Sequence, residues 1–244
     1  MRLTRVYVDA PLESGGVIDL PAETAAHLVR VLRARSGDDL VLFNGDGREF
    51  AGVIGSVRGK HVAAEIGAAR QVDNESPLAV TLVQCLARGE KMDLVVQKAT
   101  ELGVARIVPV ISQRSVVRLD DEQAQSKQSH WQAVAVSACE QCGRARLPQV
   151  ERPAPLLSYL GSLPPATHPR WVLEPDTVRS RHEHDAFGAA DLAIGPEGGF
   201  AADELEAFSL AKFLPLGLGP RVLRTETAAI AALVWLQTRF GDMS

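Results

Sequence analysis

Between Arg5 and Arg70 the apolar residues come in short runs, "RVYV", "GGVIDL", "DLVLFNGDGREFAGVIGSV" and "HVAAEIGAA", separated by glycine, asparagine and aspartate. Short β-branched and aromatic runs bounded by such residues predict strands. The two runs around Asn44-Gly45-Asp46-Gly47 predict a hairpin, because tight turns need residues that accept positive φ. One segment has the helical period instead: in "PAETAAHLVRVLRAR", opened by Pro21, residues Leu28, Val31 and Leu32 fall on one face. This region predicts a small β-barrel with one helix.

The polar stretch "QVDNESPL", Gln71 to Leu78, closes in Pro77 and marks a change of pattern, so we divide the chain into residues 1–72 and 73–244. Beyond it the periods alternate. Strands are expected at "AVTLVQCL", "ARIVPVI", "RWVLEP", "LAIGP" and "FLPLG". Helices are expected at "EKMDLVVQKATELG", from about Asp121 to Cys142, at "AADELEAFSLAK" and at "TETAAIAALVWLQTRF". Such alternation predicts an α/β domain with a mainly parallel sheet. Leu147 to Arg170, with six prolines, reads as surface loop and a short helix.

Composition adds little to this. With 46% apolar residues in 244, each part can bury a core without staples. The net charge of -4 speaks against a nucleic-acid coat protein. Charges cancel over residues 1–72, so the acidity lies in the second part, yet arginines are grouped at Arg30, Arg33 and Arg35, at Arg114 and Arg118, at Arg144, Arg146 and Arg152, and at Arg221 and Arg224. Planar guanidinium groups suit phosphates and bases; with alanine also abundant, GC-rich codon usage is the reading that composition alone favours. Three cysteines without a framework spacing suggest a reducing compartment. The first residues hold no apolar leader core, and the longest apolar run, Thr227 to Trp235, is too short to span a bilayer, so a cytoplasmic protein is expected.

The chemistry concentrates near the C-terminus. "LAIGPEGGF" and "PLGLGPRVLRTETAA" each place a Gly-Pro loop after an apolar run. In open parallel sheets ligands sit beyond the carboxyl ends of strands, and glycines there let backbone approach a ligand. Thr225 is expected to cap the helix that follows. Neither loop carries the Lys-Ser/Thr pair of a Walker loop, and "LGLGPRVLR" lacks the third glycine of a dinucleotide fingerprint. Tight turns that merely pack helices on the sheet remain an equal reading. Cys139-x-x-Cys142 is a single pair at the end of a helix, which favours packed thiols over zinc or redox chemistry. His182-Glu183-His184 lacks helical metal-ligand spacing and reads as solvated loop. No metal is expected.

Four blocks in order, "ARGEKMDLVVQKATELGV", "ACEQCGRARLPQV", "IGPEGGF" and "LGPRVLRTETAAIAAL", closely resemble the ribosomal RNA small-subunit (16S rRNA) uridine N3-methyltransferases of the SPOUT superfamily. The resemblance continues more weakly through "RVYV" and "AAHLVRVLRARSGDDLVLFNGDG". It implies an N-terminal PUA-like RNA-binding β-barrel and a C-terminal α/β domain with a trefoil knot. It also implies S-adenosylmethionine as cofactor, a homodimer, and an assembled small ribosomal subunit as substrate. Carried over, it makes Gly195, Pro196, Glu197, Gly198 and Gly199 one cofactor loop and Leu216, Gly217, Leu218, Gly219, Val222 and Leu223 another, with Leu173 beside them.

Methylating uracil N3 requires loss of its proton and stabilisation of charge on O2 and O4. Arg224 or Arg221 is the candidate for that charge, and Glu226 for the proton, although a carboxylate in a first helical turn is also favoured by the helix dipole alone. Glu140 is a further candidate near the RNA or a residue of the helix surface. Arg5, Arg30, Arg33 and Arg144 are candidates for phosphate contacts. Three competing readings are a non-catalytic RNA-binding protein of the same fold, a knotted methyltransferase acting on transfer RNA or ribose, and a nucleotide-dependent oxidoreductase.

Overall fold

The computed structural model describes residues 3–59, 61–115, 117–174 and 187–243. The chain divides into two compact units, one of Met1–Glu75 with Cys139–Leu147 and the other of Ser76–Ala138 with Pro148–Ser244.

The first unit contains β1 (Thr4–Tyr7), β2 (Val17–Asp19), α1 (Ala22–Arg30), β3 (Asp39–Phe43), β4 (Arg48–Arg58) and β5 (His61–Gln71). They form a five-stranded sheet in the order β1-β3-β4-β5-β2, with β1 parallel to β3 and the other pairs antiparallel. The expected hairpin joins β3 to β4, and Gly45 and Gly47 both have positive φ. Alternate residues of the strands, Leu40, Leu42, Phe50 and Ile54, face one core and meet Ala25 and Leu28 of α1. Val31 and Leu32, expected on that helical face, are 64% and 45% exposed instead. The helix ends at Arg30, so both residues lie just past its last turn, and the chain then passes through Arg33 at φ 53.

Glu49 on β4 is buried and accepts hydrogen bonds from Arg5 and Arg70. Burial pushes its carboxyl up, but the two guanidinium groups outweigh that and hold it below the usual carboxylate range. A carboxylate depressed by folding stabilises above its unfolded pKa of about 4.3 and loses that contribution as pH falls through the folded value. Glu49→Gln should therefore cost stability in urea titrations at pH 7, and the difference from the unmodified protein should shrink as pH falls below about 4.

The second unit runs β6 (Ala79–Cys85), α2 (Lys91–Glu101), β7 (Arg106–Ile111), α3 (Asp121–Cys142, whose last residues belong to the first unit), β8 (Gln149–Val150), β9 (Ala154–Pro155), α4 (Leu156–Ser162), β10 (Arg170–Leu173), β11 (Ala189–Ile194), α5 (Ala202–Leu210), β12 (Leu214–Leu216) and α6 (Thr225–Phe240). The sheet order is β12-β10-β11-β6-β7-β8, with β9 also on β7, and every pair is parallel. An all-parallel sheet must be covered on both faces, so its strands are apolar throughout rather than alternating. Leu82, Ile107, Trp171 and Leu192 pack on one face against α2 and α6. Val83, Val108, Val172 and Ala193 pack on the other against Leu156 and Leu160 of α4 and Phe208 of α5. The proline-rich segment read as loop thus also holds two short strands and buries part of α4. Among the described residues no helix is long and apolar enough to cross a membrane.

Strand order decides where chemistry can sit. Because β10 lies between β12 and β11, the carboxyl ends of three neighbouring strands open on one side of the sheet, and the loops leaving β11 and β12 are the two Gly-Pro segments.

Candidate functional site

At those strand ends lies a cavity of about 540 Å3. Leu173 and Glu174 line it from the end of β10, and Ile194, Gly195, Pro196, Glu197, Gly199 and Phe200 from β11 and its loop. Leu218, Gly219, Arg221, Val222, Leu223 and Arg224 line it from the loop after β12, and Thr225 and Ala228 from the first turns of α6. Of the expected cofactor residues, Gly198, Leu216 and Gly217 are not in the lining. Leu216 is buried in the core beneath. Gly198 faces Arg114, which donates to its carbonyl at 3.0 Å; a methyl at Gly198 would stand 3.3 Å from the Arg114 Cβ. Arg221 and Arg224 are exposed lining residues, whereas Glu226 sits beside the cavity without lining it.

The loops are held by polar groups far away in the chain. Thr225 does not cap α6: Arg224 occupies the cap position without a side-chain cap bond, and Thr225 is the first helical residue, 4% exposed. Its hydroxyl donates to the Gly195 carbonyl at 2.8 Å and accepts from Gln84 Nε2 at 2.9 Å. The other end of the first loop is fixed by Glu204, 1% exposed, which accepts from the backbone N–H groups of Gln113 and Ala201, each at 2.8 Å. Glu204 stands at the third position of α5, so "AADE" carries half of a capping-box pattern; alanine has no side-chain oxygen for the other half.

A charge cluster adjoins the cavity. Lys91, the first residue of α2, donates from Nζ to Glu197 Oε1 at 2.8 Å and lies 3.7 Å from Glu226 Oε2. Burial would raise the Glu197 carboxyl, but Lys91 and the backbone N–H of Arg88 outweigh it and hold it below the usual range. The Glu197 hydrogen bond in turn raises Lys91. Lys91 stands within the first of the four quoted blocks, yet nothing in the spacing of that block singles it out.

The expected RNA-facing residues fall in the first unit. Arg30 and Arg33 are exposed. Arg5 and Arg144 are committed to protein partners: Arg5 to Glu49 and, at 3.0 Å, to the Arg144 carbonyl, and Arg144 to Glu75 at 2.6 Å. Glu140 accepts from the Tyr7 backbone N–H at 3.0 Å, and burial raises its carboxyl despite that bond. The thiol of Cys139 is buried and donates to the Arg146 carbonyl at 3.6 Å, and Cys142 is half-buried. Among the described residues no group of three or more potential ligands could hold a metal ion. His182, Glu183 and His184 lie outside the described residues.

Residues 74–237 match the model of an RNA methyltransferase domain, and residues 20–67 that of an RNA methyltransferase PUA domain. The chain belongs to the RNA methyltransferase family. The cavity and both of its glycine loops lie within the matched methyltransferase domain, a parallel-sheet α/β domain, and the matched PUA domain lies within the first unit. The ribosomal RNA small subunit methyltransferase E of Buchnera aphidicola subsp. Schizaphis graminum is 34% identical over 100% of this chain and 99% of that protein. The protein of the same name from Bacillus subtilis is 30% identical, over 91% and 90%. Among solved structures, a putative methyltransferase from Legionella pneumophila with bound S-adenosylmethionine is 40% identical with a TM-score of 0.94, covering 99% of this chain and 100% of that one. The small subunit methyltransferase E from Neisseria gonorrhoeae, bound to S-adenosylmethionine, is 35% identical with a TM-score of 0.91, and both chains are covered completely.

Proposed function

We propose that this RNA methyltransferase transfers the methyl group of S-adenosylmethionine to N3 of a uridine in 16S ribosomal RNA, acting on the assembled small subunit. The observation that carries this reading is the cavity built from two glycine loops at the ends of β10, β11 and β12, in a chain like relatives solved with that cofactor.

The cavity fits the group. Its size lies in the range of about 300–1,000 Å3 typical of ligand pockets. Leu173, Leu218, Leu223 and Ala228 offer apolar walls for a purine ring, and Glu197 offers a carboxylate to a cationic ligand. Gly199 and Gly219, with φ +67 and +113, leave open space: a methyl on either meets no protein atom within 4 Å. When bound, S-adenosylmethionine supplies a methyl on a sulfonium; the N3 lone pair forms the new N–C bond while the C–S electron pair stays on sulfur. The chain's own residues orient the base, accept the N3 proton and stabilise the charge left on the ring. We assign the charge to Arg224, with Arg221 as the alternative, and the proton to Glu226. Gly195 to Gly199 and Leu216 to Leu223 hold the cofactor, the buried Leu216 and Gly217 by supporting the loop.

We read residues 1–72 as the RNA-binding PUA-like barrel and 73–244 as a knotted catalytic domain that dimerises without metal in the cytoplasm. Half-buried Ile230 and Val234 on α6 suit an interface. Exposed Arg30 and Arg33 serve phosphates, whereas Arg5, Glu140 and Arg144 act by shaping that unit. Arg30→Ala should weaken subunit binding and reduce the slope of log K against log salt by about 1, with cofactor affinity unchanged.

The test is transfer of labelled methyl to unmodified small subunits, with naked rRNA and transfer RNA in parallel and the product atom mapped. Label on one uridine N3 in subunits alone supports the reading. Label on ribose or transfer RNA, or none despite bound cofactor, rejects it.

A further inference from the structure

The apolar row along one face of β6 is broken at a single place. Leu78, Val80, Leu82 and Leu86 belong to the core against α2 and α6, and Gln84, which shares their face by strand alternation, is fully buried. A primary amide is costly in such a row. Its Nε2 donates twice, but Oε1 is buried and has no hydrogen-bond partner among the described residues. Leucine or methionine would fill the space without that cost. Register sets Gln84 beside Ile194, the last residue of β11, where the strand passes into the first glycine loop. The loop has few anchors there. Gly195 brings no side chain, and a methyl at that position would stand 3.1 Å from the Phe200 ring. Pro196 has no N–H, so the Gly195 carbonyl is the polar group by which the Gly195–Pro196 peptide plane can be held. The Thr225 hydroxyl holds it.

A hydroxyl has one proton to give, and Gln84 decides where it goes. The Cys85 carbonyl can only accept, and Gln84 Nε2 lies 2.9 Å from it, so the amide presents its NH2 group on that side. The second N–H of the same group reaches Thr225 Oγ1, also at 2.9 Å, which makes that oxygen an acceptor and leaves its proton for the Gly195 carbonyl at 2.8 Å. Turned the other way, the amide would set Oε1 against the Cys85 carbonyl, acceptor to acceptor, and would draw the Thr225 proton away from the loop. We infer that Gln84 is a positioning residue for cofactor binding: through the direction of the Thr225 hydroxyl it fixes the Gly195–Pro196 peptide plane before the ligand arrives. This rests on the proposed role of Gly195 to Gly199 as a cofactor loop and goes beyond it by naming a side chain, outside the cavity lining, that presets the loop. A preset loop binds more tightly because its ordering is complete before binding. Once bound, the ligand itself holds the loop, so Gln84 acts on affinity and not on the transfer step.

The experiment measures S-adenosylmethionine Kd by calorimetry, and single-turnover transfer to unmodified small subunits at saturating cofactor, for Gln84→Met, Gln84→Glu, Thr225→Val and the double variant Gln84→Met with Thr225→Val. Methionine keeps the length and removes both donors; glutamate keeps the shape but, as an acceptor, turns the hydroxyl round. Kd should rise about three- to tenfold in Gln84→Met, the worth of one net hydrogen bond, and further in Gln84→Glu. The saturated rate should stay within about twofold of the unmodified protein, as when binding alone is lost. The double variant should bind no more weakly than Thr225→Val, because both residues act through one hydroxyl. An unchanged Kd in both Gln84 variants, a saturated rate that falls along with affinity, or additive losses in the double variant overturns the inference. Should the Gln84 variants fail to fold, the side-chain NH2 signals of Gln84 in the unmodified protein, identified by their contacts with Thr225, carry the test: they should shift when S-adenosylmethionine saturates the site, and no shift overturns the inference. If the unmodified protein binds no S-adenosylmethionine, the reading of the loop as a cofactor loop fails first; if it binds and Gln84 has no effect, only the role of Gln84 fails.

Discussion

Replacing Arg224 by alanine is expected to lower the single-turnover rate of methyl transfer by roughly 10²- to 10³-fold, the usual loss when one preorganised donor to a developing anion is removed. The expectation follows from position. Arg224 is exposed, lines the cavity and occupies the cap position of α6, with φ -65 and ψ 151, so its side chain leaves the helix where the two loops meet. A guanidinium there is charged at every working pH and needs no reorganisation as charge spreads onto the uracil carbonyls. Cofactor Kd, measured by calorimetry, should change less than about threefold, because an interaction made only in the transition state lowers the rate without changing ground-state binding. An equal loss in Kd and rate would make Arg224 part of the cofactor wall, and an unchanged rate would transfer the role to Arg221.

How much of this was legible depended on the distance over which each contact forms. The runs in β3 and β4 and the turn between them are local, as is the apolar character of β6 and β11, and they read correctly. The two loops are local as well: Gly195 and Gly219 stand out within a few consecutive residues, and both line the cavity. Thr225 was misread because its surroundings were invisible. A threonine before an apolar run is an ordinary cap, and only the fold brings up Gln84, 141 residues earlier, to use the hydroxyl. Glu204 and Gln113 meet across 91 positions, Lys91 and Glu197 across 106. Val31 and Leu32 failed for the opposite reason: the helical period continues in sequence past Arg30, where the helix ends, and nothing in composition marks that end. Of the expected RNA contacts, Arg5 and Arg144 look like any exposed arginine until Glu49 and Glu75 are brought to them.

Thr225→Val gives the largest stability change expected outside the apolar cores. Valine keeps the shape and loses the hydroxyl, so the cost is polar rather than a cavity. The Gly195 carbonyl loses its donor, while Gln84 loses one acceptor but still donates to the Cys85 carbonyl at 2.9 Å. Gln84 is fully buried and Thr225 nearly so, so water does not replace the bonds readily. A buried polar group left unpaired costs about 1–3 kcal/mol, so the loss for the two together is about 2–5 kcal/mol. That is a large share of a typical domain's total of about 5–15 kcal/mol. The effect should also be local. The Gly195 carbonyl ties the first cofactor loop to α6, and without it the loop opens before the sheet does, since loops with few buried contacts open at lower free energy than core strands. Hydrogen exchange should therefore speed up first at Glu197 to Phe200 and the start of α6, with β6 and β11 protected until global unfolding. Cofactor affinity should fall with loop opening, and Thr225→Ser, which keeps the hydroxyl, should recover most of both. Global destabilisation with unchanged loop exchange would show that this hydroxyl stabilises the sheet and α6 together rather than positioning the cofactor loop.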